Sequence, residues 1–220
     1  MRSSNGRSVI LTAARNTFAK KGFDGASIRD IAQEADLSLS ALYYYFPSKQ
    51  DALFELIRSA FAGYIETATR VIADAGDDPI DQTAAVIRLL VRYRAHNQLI
   101  SRVVVRDTER LEPEKFEVIH EQQRASRAVL NDRIAAGQAA GVFDVDDAEL
   151  AGRAVLSICN SIALWYREDG PITVAELERS YLLYCLRLLG RDPAEADLDR
   201  LMELPLAVAE DLDFIVQPAD

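Results

Sequence analysis

Three consecutive tyrosines and a nearby lysine are the residues of this sequence whose types best suit contact with a polyanion. Tyr43, Tyr44 and Tyr45 stand together, and Lys49 follows four residues after the last of them. A phenol hydroxyl donates a hydrogen bond to a phosphate oxygen while its ring packs along the sugar backbone. Lys49 adds a positive charge at the start of a predicted helix, whose free N–H groups also bind phosphate. This spacing therefore points to contacts with a nucleic-acid backbone.

Two short helices joined by a sharp turn must position these side chains. Ser27 opens the first helix, with Asp30 three residues later in an acidic variant of the capping box. Asp36 stands where the chain has to turn, and aspartate tolerates a left-handed backbone better than most residues. Ser38 or Ser40 can cap the second helix, which ends before a proline. The pattern predicts a helix-turn-helix, whose second helix can lie in a DNA major groove.

The second helix cannot bury its whole aromatic run. At about 100° per residue, Tyr43 and Tyr44 cannot both face inward when Leu42 does. We therefore expect an outward phenol at Tyr44, whereas Tyr43 can also be half-buried core. Ser27 and Arg29 supply matching backbone contacts from the preceding helix.

The distribution of charge supports a nucleic-acid partner although the 220-residue chain has a formal net charge of −10. Residues 1–50 contain seven basic and four acidic residues, a net charge of +3. The remainder contains 18 basic and 31 acidic residues, a net charge of −13. The basic character is thus concentrated around the tyrosine motif.

Helical periodicity dominates the rest of the chain, so the predicted fold class is all-α. Further helices are expected at about residues 49–75, 80–94, 99–109, 113–140, 146–168 and 173–189, with one or two short helices in the acidic tail. Cys159 and Cys185 lie inside apolar helical patterns and are expected to be packed thiols of a reducing compartment. No signal peptide or run of about eighteen apolar residues is present, so we expect a cytoplasmic protein without a membrane partner.

Enzyme chemistry finds little support in the sequence. A carboxylate-bridged metal site in a helical bundle needs two Glu-x-x-His pairs, and Glu117 with His120 supplies one. His96, the other histidine, has Tyr93 three residues before it. No nucleophile elbow, P-loop or paired Cys-x-x-Cys motif occurs, so no metal or cofactor is predicted.

The segment IRDIAQEADLSLSALYYYFPSKQDAL resembles the DNA-binding signature of TetR-family transcriptional repressors. The close match covers about residues 8–58; beyond it the resemblance is one of architecture. It implies a helix-turn-helix domain of three helices at residues 1–55 and a helical effector-binding and dimerisation domain at residues 56–220. The sequence departs from the family at Asp36, where glycine is usual, and at Ser40 and Ala41, where glycine and then a hydroxyl residue are often found.

The resemblance assigns DNA-binding roles by position. Leu39, Ser40 and Ala41 become the residues nearest the base edges. Tyr43, Tyr44 and Lys49 become the backbone clamp, with help from Ser27 and Arg29. Few of these side chains form bidentate bonds to a base, so thymine methyl contacts and DNA shape are expected to contribute.

Two late helices are candidates for pairing with a second copy, because one helix-turn-helix reads few base pairs and such proteins act as symmetric dimers. The first carries a stripe with Gly152 allowing close approach; its apolar members are Ala151, Ala154, Val155, Ile158, Ile162 and Trp165. The second carries Leu177, Tyr181, Tyr184 and Leu188. Antiparallel pairs would form a four-helix bundle, as the TetR resemblance also implies.

The middle helices are expected to bind a small effector. Arg102 and Arg106 share one helix face at i, i+4, which suits an anionic group, although Arg102 could instead pair with Asp107 or Glu109. Asn160 is of interest because a buried amide needs partners, which an effector, a neighbouring helix or the dimer mate could supply. The tentative effector set is Tyr93, Arg102, Arg106, Phe116, Asn160 and Trp165. The later sequence also resembles, weakly, family members that sense acyl-CoA thioesters.

The sequence therefore predicts a homodimeric, one-component repressor of the TetR type. It binds double-stranded DNA at a palindromic operator, and a small, lipid-like or acyl-CoA effector releases it. The operator sequence and the regulated genes do not follow from the sequence.

Overall fold

The computed structural model describes residues 3–206, with side chains from residue 6 onward. This part of the chain contains helices and no strand, which confirms the predicted fold class. The helices are α1 (Ser3–Gly25), α2 (Ile28–Glu34), α3 (Leu39–Tyr45), α4 (Lys49–Asp74), α5 (Pro79–His96), α6 (Gln98–Asp107), α7 (Pro113–Ala139), α8 (Ala148–Trp165), α9 (Val174–Leu188) and α10 (Glu195–Met202), with a 3-10 turn at Thr108–Arg110. Helix α10 is one of the one or two short helices predicted in the acidic tail. The rest of that tail, residues 207–220, lies outside the described part.

Local signals set the helix ends close to the predicted positions. Gly22 interrupts α1 with φ 73°, where an L side chain would be strained. Asp78 caps α5 by accepting a hydrogen bond from Ile80 N at 2.7 Å. Thr173 caps α9 with a reciprocal bond to Glu176, a capping box. None of the helices within residues 3–206 is long and apolar enough to cross a bilayer.

The first compact unit comprises the described chain up to residue 63 together with residues 99–123. Its core is formed by fully buried apolar side chains of α1 to α4, among them Phe18, Ile31, Leu42 and Leu53. Burial of this stripe from each short helix supplies most of their stability, because isolated helices of seven residues are marginal in water.

The segment after α6 belongs to this first unit and is held against the start of α4. Gln50 donates to the Arg110 carbonyl oxygen at 2.7 Å and accepts from Glu112 N at 3.2 Å. Lys115 on α7 forms an ion pair with Asp51 at 3.0 Å. The predicted domain division at residue 55 did not anticipate these contacts, because they join residues about sixty positions apart.

The second unit comprises residues 64–98 and the described chain from residue 124. Helix α5 lies at its centre and packs against α8 and α9. Glu178 on α9 is fully buried and accepts bonds from Arg88 at 3.4 Å and Arg92 at 2.5 Å. Arg88 also donates to the Leu201 and Leu204 carbonyl oxygens at 3.0 and 2.9 Å. The Arg88–Glu178–Arg92 network thus joins α5, α9 and the end of α10.

Candidate nucleic-acid interface

The capping box predicted at the start of α2 is present. Ser27 Oγ accepts from Asp30 N at 3.1 Å, and Asp30 Oδ2 accepts from Ser27 N at 2.8 Å. A hydrogen bond from Lys21 at 2.7 Å, together with those from Ser27, lowers the pKa of Asp30 to about 2. The Asp30 carboxylate is therefore charged at neutral pH and favours the positive N-terminus of α2. Ser27 is exposed, but its hydroxyl already serves this cap.

The turn between α2 and α3 takes the predicted left-handed form. Asp36 has φ 53°, and α3 begins three residues later. Ser38, rather than Ser40, is the cap: its Oγ accepts from Ala41 N at 3.1 Å. Ser40 is consequently exposed with a hydroxyl that the cap does not use.

The faces of α3 separate the aromatic run as the helical period requires. Leu42 is fully buried, and Tyr45 packs against α1, where a Cβ on Gly6 would lie 2.6 Å from the Tyr45 hydroxyl. Tyr44 is 81% exposed and Tyr43 is 45% exposed. The phenols of Tyr43 and Tyr44 are thus accessible to a partner outside this protein unit.

The first turn of α3 carries the residues that were expected nearest the base edges. Ser40 is exposed, and Leu39 and Ala41 are partly exposed. Their side chains offer apolar contacts and one hydroxyl, a set suited to thymine methyl groups and groove shape rather than to bidentate base readout. Base contact by these three residues stays a prediction.

The two basic residues of the predicted clamp have different surroundings. Arg29 on α2 is exposed, and no hydrogen bond or ion pair joins it to the side chains described. Lys49 is half-buried: its ammonium donates to the Phe23 and Ala26 carbonyl oxygens at 2.6 and 2.8 Å. It also lies 4.1 Å from the Phe23 ring centroid, a cation–π contact. Arg29 is therefore the more available phosphate ligand, and Lys49 joins the start of α4 to the α1–α2 connection.

The six residues predicted to bind an effector divide between the two units. Arg102, Arg106 and Phe116 lie in the first unit, and Tyr93, Asn160 and Trp165 lie in the second. Their role in effector binding stays a prediction, and each group is described within its own unit.

Arg106 has partners inside the first unit that sequence reasoning did not foresee. Its guanidinium donates to the Phe18 carbonyl oxygen and, at 2.9 and 2.8 Å, to both carboxylate oxygens of Asp107. Asp107 in turn accepts from Phe23 N at 3.3 Å. Arg106 thus pairs with Asp107, and the pair joins the end of α6 to the end of α1.

The other two predicted residues of this unit lie nearer the surface. Arg102 is exposed on α6, and Phe116 is half-buried on α7. The Phe116 ring is stacked on His120, with centroids 5.9 Å apart and an interplanar angle of 11°. His120 is thus a ring-stacking partner, and among the described residues no cluster of three or more metal-ligating side chains occurs.

In the second unit, one of the predicted residues is buried, one is partly buried and one lies at the surface. Tyr93 is buried, and the amide oxygen of Asn160 is buried without a hydrogen-bond partner in the described chain. Trp165 is half-exposed at the end of α8 and stacks on Tyr181 with centroids 6.4 Å apart. Sequence reasoning missed Tyr64, a buried tyrosine of α4 whose hydroxyl also lacks a partner. A phenol in an otherwise apolar helix stripe was the available signal.

The predicted apolar stripe of α8 is divided between the interior and the surface of the second unit. Val155 and Ile162 are fully buried in the second unit, whereas Ala151, Ala154 and Ile158 are partly exposed. On α9, Tyr184 is 55% exposed and its ring centroid lies 6.3 Å from that of Tyr181. Trp165, Tyr181, Tyr184, Leu188 and the partly exposed α8 residues form a surface that we call the α8–α9 face.

The close approach at Gly152 is made within the chain. A Cβ on this glycine would collide with the side-chain amide of Asn131 on α7, so the glycine leaves room for that amide. The expectation that Gly152 serves the approach of a second copy is replaced by this contact.

Two family profiles match successive parts of the chain. The family profile described as "Bacterial regulatory proteins, tetR family" matches residues 10–56. The profile described as "Tetracyclin repressor-like, C-terminal domain" matches residues 76–189, more than half of the chain. The HTH-type transcriptional repressor KstR2 of Mycobacterium tuberculosis is 26% identical over 182 residues, which cover 82% of this chain and 90% of KstR2.

Two solved structures have the same fold over most of their length. The TetR family transcriptional regulator PfmR from Thermus thermophilus is 29% identical, with a TM-score of 0.73 over 84% of this chain and 99% of PfmR. The ketosteroid transcriptional regulator KstR2 of Mycobacterium tuberculosis is 25% identical, with a TM-score of 0.72 over 86% of this chain and 95% of that structure.

Proposed function

The chain belongs to the TetR family of DNA-binding transcriptional repressors, and from this premise we propose that it is a homodimer that a small lipid-like effector releases from a palindromic operator. The observation that carries the DNA-binding part is the arrangement of α3. Tyr44 is 81% exposed on a capped helix whose opposite side, at Leu42, is fully buried. A large aromatic side chain that is exposed to solvent indicates an external partner, and its phenol hydroxyl is suited to a phosphate of the DNA backbone.

The proposed contacts follow from exposure and charge. Tyr43, Tyr44 and Arg29 bind backbone phosphates, and the first turn of α3, from Leu39 to Ala41, lies against the base edges. Lys49 acts on this surface through the position of α4, because its ammonium is already bonded to two carbonyl oxygens. Phosphate contacts set the register of α3 in the groove, and the α3 side chains with DNA shape set the sequence preference.

Dimer formation supplies the second half-site. The α8–α9 face presents Trp165, Tyr181 and Tyr184 as neighbouring aromatic rings with centroids 6.4 and 6.3 Å apart. Aromatic clusters of this kind are enriched at protein interfaces, and a symmetric pair would bury them. Two α3 helices about 34–36 Å apart would then enter successive major grooves on one side of the duplex.

The effector is proposed to bind in the second unit. Buried polar atoms without partners are rare in native proteins, and the described part of this unit has several, among them the Tyr64 hydroxyl and the Asn160 amide oxygen. The similar protein KstR2 is described as a ketosteroid transcriptional regulator, which favours a largely apolar ligand. We therefore take a lipid-like molecule, either a free acid or a CoA thioester, as the effector class.

Release from DNA would act through α4. This helix is continuous from Lys49 to Asp74, so it includes residues of both units. Effector binding beside Tyr64 would favour a conformation with a different tilt of α4, and Lys49 would transmit the tilt to the α1–α2 connection. The separation of the two α3 helices would then no longer match the operator. Such a regulator acts in the cytoplasm, where bacterial DNA is located.

The decisive experiment is a gel-shift titration of the purified protein against DNA that flanks its own gene. We expect one fragment to bind with an affinity that falls steeply as salt is raised, and binding to be competed by that fragment far better than by unrelated DNA. A protein that folds and dimerises but binds all fragments equally weakly would contradict the proposal. That outcome would leave a purely structural helical dimer as the better reading of the chain.

A further inference from the structure

The hydroxyl of Tyr64 is buried in the second unit and makes no hydrogen bond to any described residue. Tyr64 lies on α4, and only 4% of its surface is exposed. A phenylalanine would fill the same space without burying a polar atom, so the hydroxyl costs stability in the unliganded protein. Such a group is explained when a ligand supplies the missing acceptor.

Arg94 is a second hydrogen-bond donor near Tyr64, because both residues contact the ring of Tyr93. The ring centroids of Tyr64 and Tyr93 are 6.1 Å apart, and the guanidinium carbon of Arg94 lies 5.3 Å from the Tyr93 centroid. Tyr93 and Arg94 are adjacent on α5, and Tyr64 approaches them from α4. The Tyr93 ring is thus in contact with the phenol of Tyr64 and with the cation of Arg94.

The charges around Tyr64 define what this group can bind. Burial raises the pKa of the Tyr64 phenol, against the opposing influence of Arg94, so the hydroxyl keeps its proton and acts as a donor at neutral pH. Hydrogen bonding to Cys185 and burial raise the pKa of Cys159, which also influences Tyr64, so this thiol is neutral as well. A guanidinium carries five N–H donors and a permanent charge. Tyr64 and Arg94 together therefore offer hydrogen-bond donors and a positive charge. These suit an anionic ligand and repel a cationic one.

We propose that the effector carries a carboxylate, which accepts a hydrogen bond from the Tyr64 hydroxyl and pairs with the Arg94 guanidinium. The apolar body of the ligand lies among the buried aromatic and aliphatic side chains of the same unit. This inference rests on the proposed function for the ligand's role as effector, and it selects the free acid from the two classes named there. An alcohol of the same length would bond to Tyr64 without using the charge of Arg94.

The first test compares four probes with the same ten-carbon chain: decanoate, decanol, decylamine and decanoyl-CoA. Binding to the full-length wild-type protein is measured by calorimetry and by the shift in Tm, each below the concentration at which the probe forms micelles. We expect decanoate to bind and to raise Tm most, and decylamine not to bind. A stronger response to decanol, decylamine or decanoyl-CoA, or no response to decanoate, would overturn the proposal.

The second test removes the hydroxyl alone. Tyr64→Phe is expected to weaken decanoate binding about tenfold, because one bond to a charged acceptor is lost. The unliganded variant should have an unchanged or higher Tm, since the buried hydroxyl is gone. Tyr166→Phe is the matched control, because Tyr166 is also buried in this unit, and it should leave the decanoate affinity unchanged. Undiminished affinity in Tyr64→Phe, or a lower Tm of its unliganded form, would refute the assignment of Tyr64.

These measurements need no DNA, so their failure is separate from that of the proposed function. A protein that binds its operator but ignores decanoate would keep its place as a repressor and lose the carboxylate site. A protein that binds decanoate through Tyr64 but recognises no DNA fragment would keep the site and lose the role of its ligand as effector.

Discussion

The ammonium group of Lys49 donates a hydrogen bond to the carbonyl oxygen of Phe23 at 2.6 Å and lies 4.1 Å from the centroid of the same residue's ring. The lysine at the start of α4 is therefore tied to the connection between α1 and α2. Since α2 and α3 follow that connection, the Lys49 contacts help to set how α2 and α3 are placed relative to the start of α4. The Lys49 ammonium therefore makes contacts within the protein, which reduces its availability to a phosphate.

This relationship predicts different effects for the two basic residues of the interface. Lys49→Met should lower the free energy of unfolding by about 1.5–3 kcal/mol, because bonds from a charged donor are lost, and should change the salt dependence of operator binding little. Arg29→Met should leave stability unchanged and reduce the slope of log K against log salt by about 0.9 for each phosphate contact, or about 1.8 in a dimer. Urea unfolding and salt-dependent fluorescence anisotropy measure the two quantities. An equal loss of slope in both variants would assign Lys49 to a phosphate.

Tyr44 is predicted to be the most sensitive aromatic residue for DNA binding. Tyr44→Phe should weaken operator binding by about 1.5–3 kcal/mol in each subunit that loses a bond to a phosphate, which is at least tenfold in Kd. Tyr44→Ala should weaken it further, because ring packing on the backbone is also lost. Dimer mass and decanoate affinity should stay as in the wild type. Normal operator binding by Tyr44→Ala would show that the exposed side of α3 does not face the DNA.

The buried carboxylate of Glu178 is predicted to dominate the stability of the second unit. Glu178→Ala leaves Arg88 buried without its anion and should cost about 3–5 kcal/mol in thermal or urea unfolding. Glu195→Ala is the control, because its exposed ion pair with Arg179 should contribute less than about 1 kcal/mol. The double substitution Arg88→Met with Glu178→Leu should recover much of the loss, since it removes both buried charges. A small effect of Glu178→Ala would show that water or another cation partner compensates.

The α8–α9 face is predicted to hold the dimer together. Tyr184→Asp places a charge within the aromatic surface and should convert the dimer into a monomer that unfolds near the wild-type temperature. Val105→Asp is the matched control, because Val105 is 67% exposed on α6 against 55% for Tyr184 on α9. Light scattering coupled to size exclusion gives the mass of each variant. A monomer produced by the Val105 variant alone would move the interface to α6.

Most helix bounds could be predicted because their signals lie within a few residues of the sequence. The capping box of Ser27 with Asp30, the left-handed Asp36 and the break within α1 at Gly22 each act through bonds or sterics of one turn. The division of the tyrosine run also followed from the helical period once Leu42 was placed inside. Local sequence rules were therefore sufficient to predict which side of α3 is exposed.

Side-chain partners were predicted poorly where they come from distant parts of the chain. Arg106 was placed in the effector set from its helix face alone, and its bond to the carbonyl of Phe18, 88 positions away in sequence, was not foreseen. Gly152 was expected to admit a second copy, and it admits Asn131 of α7. A spacing of i, i+4 shows that two side chains share a helix face but not what that face meets.

The sequence by itself determined an all-helical protein with a capped helix-turn-helix and an outward Tyr44, because helix propensity, caps and periodicity are properties of neighbouring residues. Only the tertiary structure decided that Lys49 is bound to the α1–α2 connection, that Glu178 pairs with two arginines, and that the hydroxyl of Tyr64 is buried without an acceptor among the described residues. These outcomes depend on which helices pack together, and burial then fixes the partner and the cost of each polar group.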